Sequence, residues 1–219
     1  MTSMRIIAGT KKGMTLLSPK GTDTRPITDR VKESVFNILF SKGFPAGCAT
    51  ADLFCGTGSM GLEALSRGAV WATFIDRDFG AVEILNKNIA KSGFDCQCRA
   101  ICANALKVGA PAVSEHSLYD LVFVDPPYDM SRSCGQGTLI GKLMAIIRGQ
   151  VRQGGVVVLR IHRKADIDGR YGLLAEIDRR TWGNMTVAFF RREGDESTTL
   201  QAQSPEHGHI NEQIEADNE

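Results

Sequence analysis

Apolar positions along the first 192 residues alternate between two periods, and that alternation predicts strands interleaved with helices. Ala51-Asp52-Leu53-Phe54 reads as a short strand, and Ser59 to Ser66 as a helix. Trp71 to Ile75 is a second strand, followed by a helix from Phe79 to Lys91 that places Val82, Leu85 and Ile89 on one face. Cys96 to Cys102 and Leu121 to Val124 are two further strands. The spacing of Leu139, Leu143, Ile146 and Ile147 predicts a helix over 137–151. Gly155 to Ile161 is a continuous β-branched run, as in a strand buried on both faces. Leu173 to Ile177 and Met185 to Phe190 close the pattern as two strands joined through Trp182-Gly183-Asn184.

Repeated strand–helix units imply a parallel sheet covered by helices on both faces, and the final hairpin introduces one antiparallel strand. Ahead of these units, Arg5-Ile6-Ile7 and Met14 to Leu17 bracket Gly9 to Gly13 as a β-hairpin with Lys11 and Lys12 at its tip. Thr28 then caps a helix over 28–41, which Gly43, Pro45 and Gly47 end. The expected organisation is an N-terminal hairpin and helix extension (1–47), an α/β domain (48–192) and a tail (193–219). The tail lacks periodicity, is rich in Gln, Ser, Glu and Asp, and is expected to be disordered.

Charge changes this picture only when it is divided along the chain. The net charge is +1, yet eight of the 25 acidic residues and none of the 26 lysines and arginines fall in 193–219. Residues 1–192 therefore carry +9, a balance that suits a polyanionic partner. No apolar stretch approaches a membrane span, and the first residues lack the apolar core of a signal peptide; a cytoplasmic protein is expected. Six cysteines lie at 48, 55, 96, 98, 102 and 134, without a C-x-x-C pair or a histidine at ligand spacing, so no metal site is expected.

The candidate chemistry begins with Asp52-Leu53-Phe54-Cys55-Gly56-Thr57-Gly58-Ser59-Met60-Gly61, which runs from a strand through glycines into a helix. Gly56 and Gly58 permit a tight turn with close backbone approach to a ligand, and Gly61 permits close helix–strand packing. Asp76, ending the next strand, can accept hydrogen bonds from ribose hydroxyls. The loop by itself indicates an adenosine-containing ligand. A nicotinamide or flavin enzyme would seat a pyrophosphate there. An S-adenosylmethionine enzyme would seat the amino-acid end of its cofactor, with Asp52 facing the ammonium.

Asp125-Pro126-Pro127-Tyr128 decides between them. The motif follows strand 121–124, at the edge where open α/β sheets bind ligands. Two prolines hold the chain rigid, so that the Asp125 carboxylate and the Pro126 carbonyl converge as acceptors for an –NH₂ group. Tyr128 supplies a flat face for a base, a stacking worth roughly 1–3 kcal/mol. An exocyclic base nitrogen is a poor nucleophile, and acceptors for its protons favour the pyramidal, reactive form. The expected reaction is methylation of a base amino group, on an unstacked or flipped base.

Several segments together resemble the bacterial RsmD-type methyltransferases: Met4 to Gly9, Thr24-Arg25-Pro26, Thr28 to Glu33, Asp52-Leu53-Phe54, Gly61 to Ala69 and Asp125 to Tyr128. The resemblance covers residues 4–192. It implies a seven-stranded class I S-adenosylmethionine-dependent methyltransferase fold with one antiparallel strand, and a guanine N2 in small-subunit (16S) ribosomal RNA as the target. Cys55 stands where the family usually has Ala, and Asp76 where Glu is common. Asn104 falls where related enzymes hold the adenine.

The candidate site residues follow. Asp125, Pro126, Pro127 and Tyr128 form the catalytic set. Asp52, Phe54, Gly56, Gly58, Gly61, Asp76, Arg77, Asn104 and Ala105 form the cofactor set. Residues 1–42 hold eight basic and three acidic side chains, which points to an RNA-docking arm with Arg5, Lys11, Lys12, Arg25 and Arg30. Pairing of Arg25 and Arg30 with Asp29 and Glu33 is the competing reading. The expected partner is small-subunit rRNA or the assembling 30S particle, met by a monomer. A DNA adenine-N6 methyltransferase and a cofactor-binding ribosome assembly factor are the alternatives.

Overall fold

The computed structural model describes residues 4–19, 27–112 and 118–194. Helix α1 (Asp29–Phe40) starts where Thr28 accepts a hydrogen bond from the Val31 N–H, and its Val31, Val35, Phe36 and Leu39 face the core. Strand β1 (Ala49–Leu53) is buried along its whole length and leads into α2 (Ser59–Ser66). Strand β2 (Trp71–Asp76) precedes α3 (Phe79–Ser92), which Asp78 caps at one end and left-handed Gly93 ends at the other. Strand β3 (Cys98–Cys102), the one-turn helix α4 (Ala105–Val108) and β4 (Tyr119–Val124) follow. Then come α5 (Leu139–Ile147), β5 (Val151–His162), β6 (Arg170–Tyr171), β7 (Leu174–Trp182) and β8 (Met185–Arg192).

The eight strands form one sheet in the order β3-β2-β1-β4-β5-β8-β7-β6. β1 to β5 are mutually parallel, and β8 runs antiparallel to both β5 and β7. The expectation of seven strands with one reversed is corrected by β6, a two-residue edge strand antiparallel to β7. One core lies between the sheet and α1 to α3, built on Phe36, Leu62, Phe74, Leu85, Phe123 and Val158. The other lies beneath α4 and α5, around Leu53, Val122, Leu143, Val157 and Phe190.

Three of the boundaries that differ from the expected ones have local reasons. The helix predicted over 137–151 ends at Ile147, and Val151 instead opens β5 opposite Tyr119. Its helical spacing from Ile147 is a coincidence of two core residues on either side of a turn at Gly149. Residues 95–97 form a 3₁₀ turn, so that strand starts at Cys98. β7 continues five residues beyond Ile177, because Glu176–Arg179 and Asp178–Arg180 pairs give its polar end a solvated surface. Its alternation is further broken by a register shift between Glu176 and Asp178.

The N-terminal pairing is shorter than a hairpin: a single bridge, Arg5 with Thr15, around a 3₁₀ turn at Gly9–Lys11. It is held against α2 and α3 by buried polar groups. Glu63, fully buried, accepts the N–H groups of Ile7 (2.8 Å) and Ala8 (3.1 Å) and the Arg67 Nε–H at 2.7 Å. Lys32, also fully buried, donates to the Arg5 carbonyl (2.7 Å) and Ser59 Oγ (3.0 Å), 3.8 Å from Glu63. Asn88 bonds both backbone groups of Leu17 and the carbonyl of Thr57 in the glycine loop. A Cβ on Gly9 would lie 1.8 Å from the Ser66 carbonyl oxygen, so only glycine lets the arm pass there.

Candidate active site

Strand alternation places the site. Phe123 and Val158 point into the core under α1 and α2, so Asp125 and Arg160, two residues further on, emerge on that same face at the carboxyl edge. Asp52 on the neighbouring β1 shares the face. Its carboxylate, almost wholly buried, accepts the Gly61 N–H at 2.8 Å. Burial pushes the Asp52 carboxyl up to about 7; the Gly61 N–H works against this, while the charges of Asp125 and Asp76 add to it. A group so poised gains most from a cationic partner.

The glycine loop is tied down at several points. Phe54 leaves β1 with φ 58°, the only positive value among the described non-glycine residues, and turns the chain. Asp76 accepts the Gly56 N–H (2.8 Å) with one oxygen and the Asp78 N–H (2.9 Å) with the other. Gly58 has φ 88°, and a Cβ there would sit 2.4 Å from Leu85. At Gly61 a Cβ would lie 2.3 Å from the Phe74 ring, which confirms the close helix–strand packing expected of this position. At Gly56, by contrast, a Cβ would meet nothing within 4 Å. Space is open above the loop where a ligand would lie.

At the end of β3, Asn104 caps α4 by accepting the Leu106 N–H at 3.0 Å. The adjoining Ala105 is buried, and its N–H has no acceptor among the described residues. Arg77 is exposed at the rim beside Asp76. The cofactor set is thus brought together along the ends of β1, β2 and β3.

The Asp125–Tyr128 motif extends the β1–β4 ladder by one bond, Asp125 N–H to the Leu53 carbonyl at 3.2 Å, and then turns away. The Pro127 carbonyl accepts from Met130 and Ser131, closing a tight turn. The Pro126 carbonyl receives no hydrogen bond among the described residues. Tyr128 is 45% exposed, with its ring set edge-on to His162 at 4.8 Å between centroids and the Arg132 guanidinium 5.8 Å away.

One residue at the site escaped the sequence reading. Arg160 donates from Nε to Oδ1 of Asp125, and each side chain is 24% exposed. Burial raises the Asp125 carboxyl, and the Arg160 charge and hydrogen bond oppose that rise. The available signal was an arginine interrupting the apolar run Val156-Val157-Val158-Leu159-Arg160-Ile161 at a core-facing position.

The basic candidates separate. Arg30, exposed on the first turn of α1, makes no ion pair among the described residues, because Asp29 binds Arg5 at 2.7 Å instead. Both lie toward the carboxyl edge, since Ile27 lines an apolar slot with Asp125 and Arg160. Lys11 does not join them, whereas Lys12 lines a pocket with Arg5 and Asp29. Lys11 sits 5.6 Å from the Phe94 ring and the turn packs on Ser66, at the C-terminal ends of α3 and α2. In a parallel sheet those ends mark the opposite, amino-terminal edge. Arg25 lies outside the described residues. Among the described residues no group of metal-ligating side chains could hold an ion, and no helix is long and apolar enough to cross a membrane.

Comparison with known proteins places this geometry. Residues 4–191 match the family described as Conserved hypothetical protein 95. YlbH of Bacillus subtilis, named as an rRNA methyltransferase, is 32% identical over 191 residues, which span 87% of this chain and 100% of that protein. Ribosomal RNA small subunit methyltransferase D of Escherichia coli is 41% identical over 127 residues; the match spans 57% of this chain and 60% of the relative. The solved yhhF protein of Escherichia coli, titled a methyltransferase, superposes with a TM-score of 0.71 at 26% identity, covering 89% of this chain and 100% of that one. The fold is that of the class I methyltransferases.

Proposed function

The chain belongs to the Conserved hypothetical protein 95 family, the RsmD-type methyltransferases, and from that premise we propose that it transfers a methyl group from S-adenosylmethionine to the exocyclic N2 of a guanine in 16S ribosomal RNA. The observation that carries the reading is the convergence of an ionisable acid, Asp125, and the unpartnered Pro126 carbonyl beside the glycine loop at one sheet edge.

The residues fit the cofactor. Asp52 faces an ammonium, the carboxylate of Asp76 keeps lone pairs for ribose hydroxyls, and the Ala105 N–H with Asn104 suits an adenine edge. When bound, S-adenosylmethionine supplies a methyl already activated by its sulfonium charge. The protein's task is then alignment and charge. Asp125 and the Pro126 carbonyl accept the amino protons and stabilise the positive charge that develops on the nitrogen. The departing proton is held at Asp125. Tyr128 offers its exposed ring to the extruded base.

Arg5 and Arg30 are assigned to RNA at the site, with Arg25 between them in sequence. Lys12 lines a pocket with Arg5, and Lys11, at the far edge, reaches the same substrate only if it extends along α2, which favours an assembling 30S particle over a short RNA. A soluble monomer suffices for this arrangement.

The test is to incubate the protein with methyl-labelled cofactor and either 16S rRNA or small-subunit particles from a strain lacking it. Label in N2-methylguanine is expected, with particles the better substrate. Label in DNA adenine instead would replace the reading by DNA amino-methylation.

Asp52 makes a second expectation. Its carboxyl must be ionised to hold an ammonium, and its value near 7 in the free protein means that lowering the pH protonates it. Cofactor affinity measured by calorimetry should be greatest between pH 7 and 8, where carboxylate and ammonium are both largely charged, and weaken roughly fivefold by pH 6. In Asp52→Asn the same measurement should show weaker binding without the fall toward pH 6.

A further inference from the structure

Arg160 stands where the alternation of β5 puts a core side chain. Val156 and Val158 precede it on the same face, and Val187 is its partner on β8. Its guanidinium nevertheless turns along the sheet edge, and Nε–H donates to Oδ1 of Asp125. The contact is side-on, not the two-pronged fork that arginine makes with a freely placed carboxylate. It leaves Oδ2 and the terminal N–H groups of Arg160 without a partner among the described residues. We propose that Arg160 is a positioning residue for the transfer: it holds Asp125 as a carboxylate in a half-enclosed site and occupies one oxygen, so that the other is presented to the substrate amino group. The proposal rests on the methyl-transfer reading and assigns a role within that site.

The surroundings leave this task to Arg160. β1 contributes the negative Asp52, and β2 places Asp76 beyond it. The residue before the α1 cap, α1, α2 and β8 contribute only Ile27, Val35, Met60 and Val187 to the slot beneath the pair. Tyr128 and His162 flank the mouth as a ring pair. Arg160 is therefore the one fixed cation against Asp125 among the described residues. Without it, an enclosed carboxylate next to a second carboxylate favours its protonated form, which donates a hydrogen bond and cannot accept the amino proton.

The full-length protein with Arg160→Met and Arg160→Lys provides the test. In Arg160→Met the acid limb of the kcat–pH profile should move up by at least one unit. With cofactor saturating, the rate should lie below the parent on the acid side of the moved limb and recover to within a few-fold of it at pH 9, while cofactor affinity weakens slightly because Arg160 is also one of the influences that lower Asp52. Arg160→Lys should keep the limb near its original place while losing rate, since a point charge holds ionisation without fixing the rotamer. An activity-independent readout is the carboxyl ¹³C titration of Asp125: its midpoint should rise in Arg160→Met and stay in Arg160→Lys. If both the Asp125 titration and the pH profile of Arg160→Met match the parent, the proposal is wrong. If the parent itself methylates no rRNA, the substrate reading fails, and the ¹³C titration still decides whether Arg160 governs Asp125.

Discussion

Asp125→Ala should abolish methyl transfer at the level of the chemical step, with kcat lowered roughly 10²–10³-fold, the loss typical when one preorganised charge-stabilising group is removed from an active site. The mechanism predicts where the loss does not appear. Asp125 is not part of the glycine loop or its ties to β2, so the cofactor-binding set should remain assembled. Removal of the Asp125 charge also takes away one of the influences that raise Asp52. Cofactor affinity near pH 7 should therefore be retained or slightly improved, against the usual expectation for an active-site truncation. Asp125→Asn keeps an acceptor oxygen but loses the charge, and should fall between the parent and the alanine variant. Single-turnover rates with saturating cofactor, beside calorimetric Kd values, check both halves. Weakened cofactor binding with an unchanged single-turnover rate would assign Asp125 to the cofactor and sink the acceptor role. Stability should change little, because Arg160, already partly exposed, can turn to water.

The contrast between Asp125 and Arg160 shows what the sequence made legible. Asp125-Pro126-Pro127-Tyr128 is contiguous, and each member has a chemical reason to be next to the others, so local reasoning reaches it. The glycine at 61 was readable for the same cause: strand, turn and helix are successive, and the Phe74 ring it accommodates lies on the very next strand. Arg160 touches Asp125 only because β4 and β5 pair across 35 positions, and it was hidden inside a run that reads as pure core strand.

The N-terminal arm was legible only in part for the same reason. Lys11 and Lys12 form an obvious basic tip, but which edge of the sheet they reach depends on Glu63, Ser66 and Asn88, ordinary polar residues on helices. Nothing in their spacing announces that they are buried. Similarly, the polar end of β7 lacks apolar alternation because its charges pair with one another along the strand.

Glu63→Ala, on the α2 face that anchors the arm, should be strongly destabilising, costing about 3–5 kcal/mol, the range found when one member of a buried ion pair is deleted. Four groups lose a partner together: the Lys32 ammonium, the Arg67 guanidinium and the N–H groups of Ile7 and of Ala8. Arg67 can reach water, but Lys32 is 1% exposed and cannot. Burial already lowers the Lys32 pKa, and Glu63 is the main influence that raises it again. In the variant the folded protein therefore binds fewer protons at Lys32 than the unfolded chain does. Stability then rises with pH up to the ordinary lysine value near 10.5. Urea denaturation at pH 7 and at pH 9.5 should show the larger deficit at pH 7. Lys32→Met in the Glu63→Ala background should recover the part due to the stranded charge. It should not recover the part due to the Ile7 and Ala8 N–H groups, which still lack an acceptor. A deficit below 1 kcal/mol, equal at both pH values, would mean that the arm is not anchored by this network. If the network is the anchor, protection of the Ile7 and Ala8 amides from hydrogen exchange should vanish in Glu63→Ala, while β1 and β4 retain theirs.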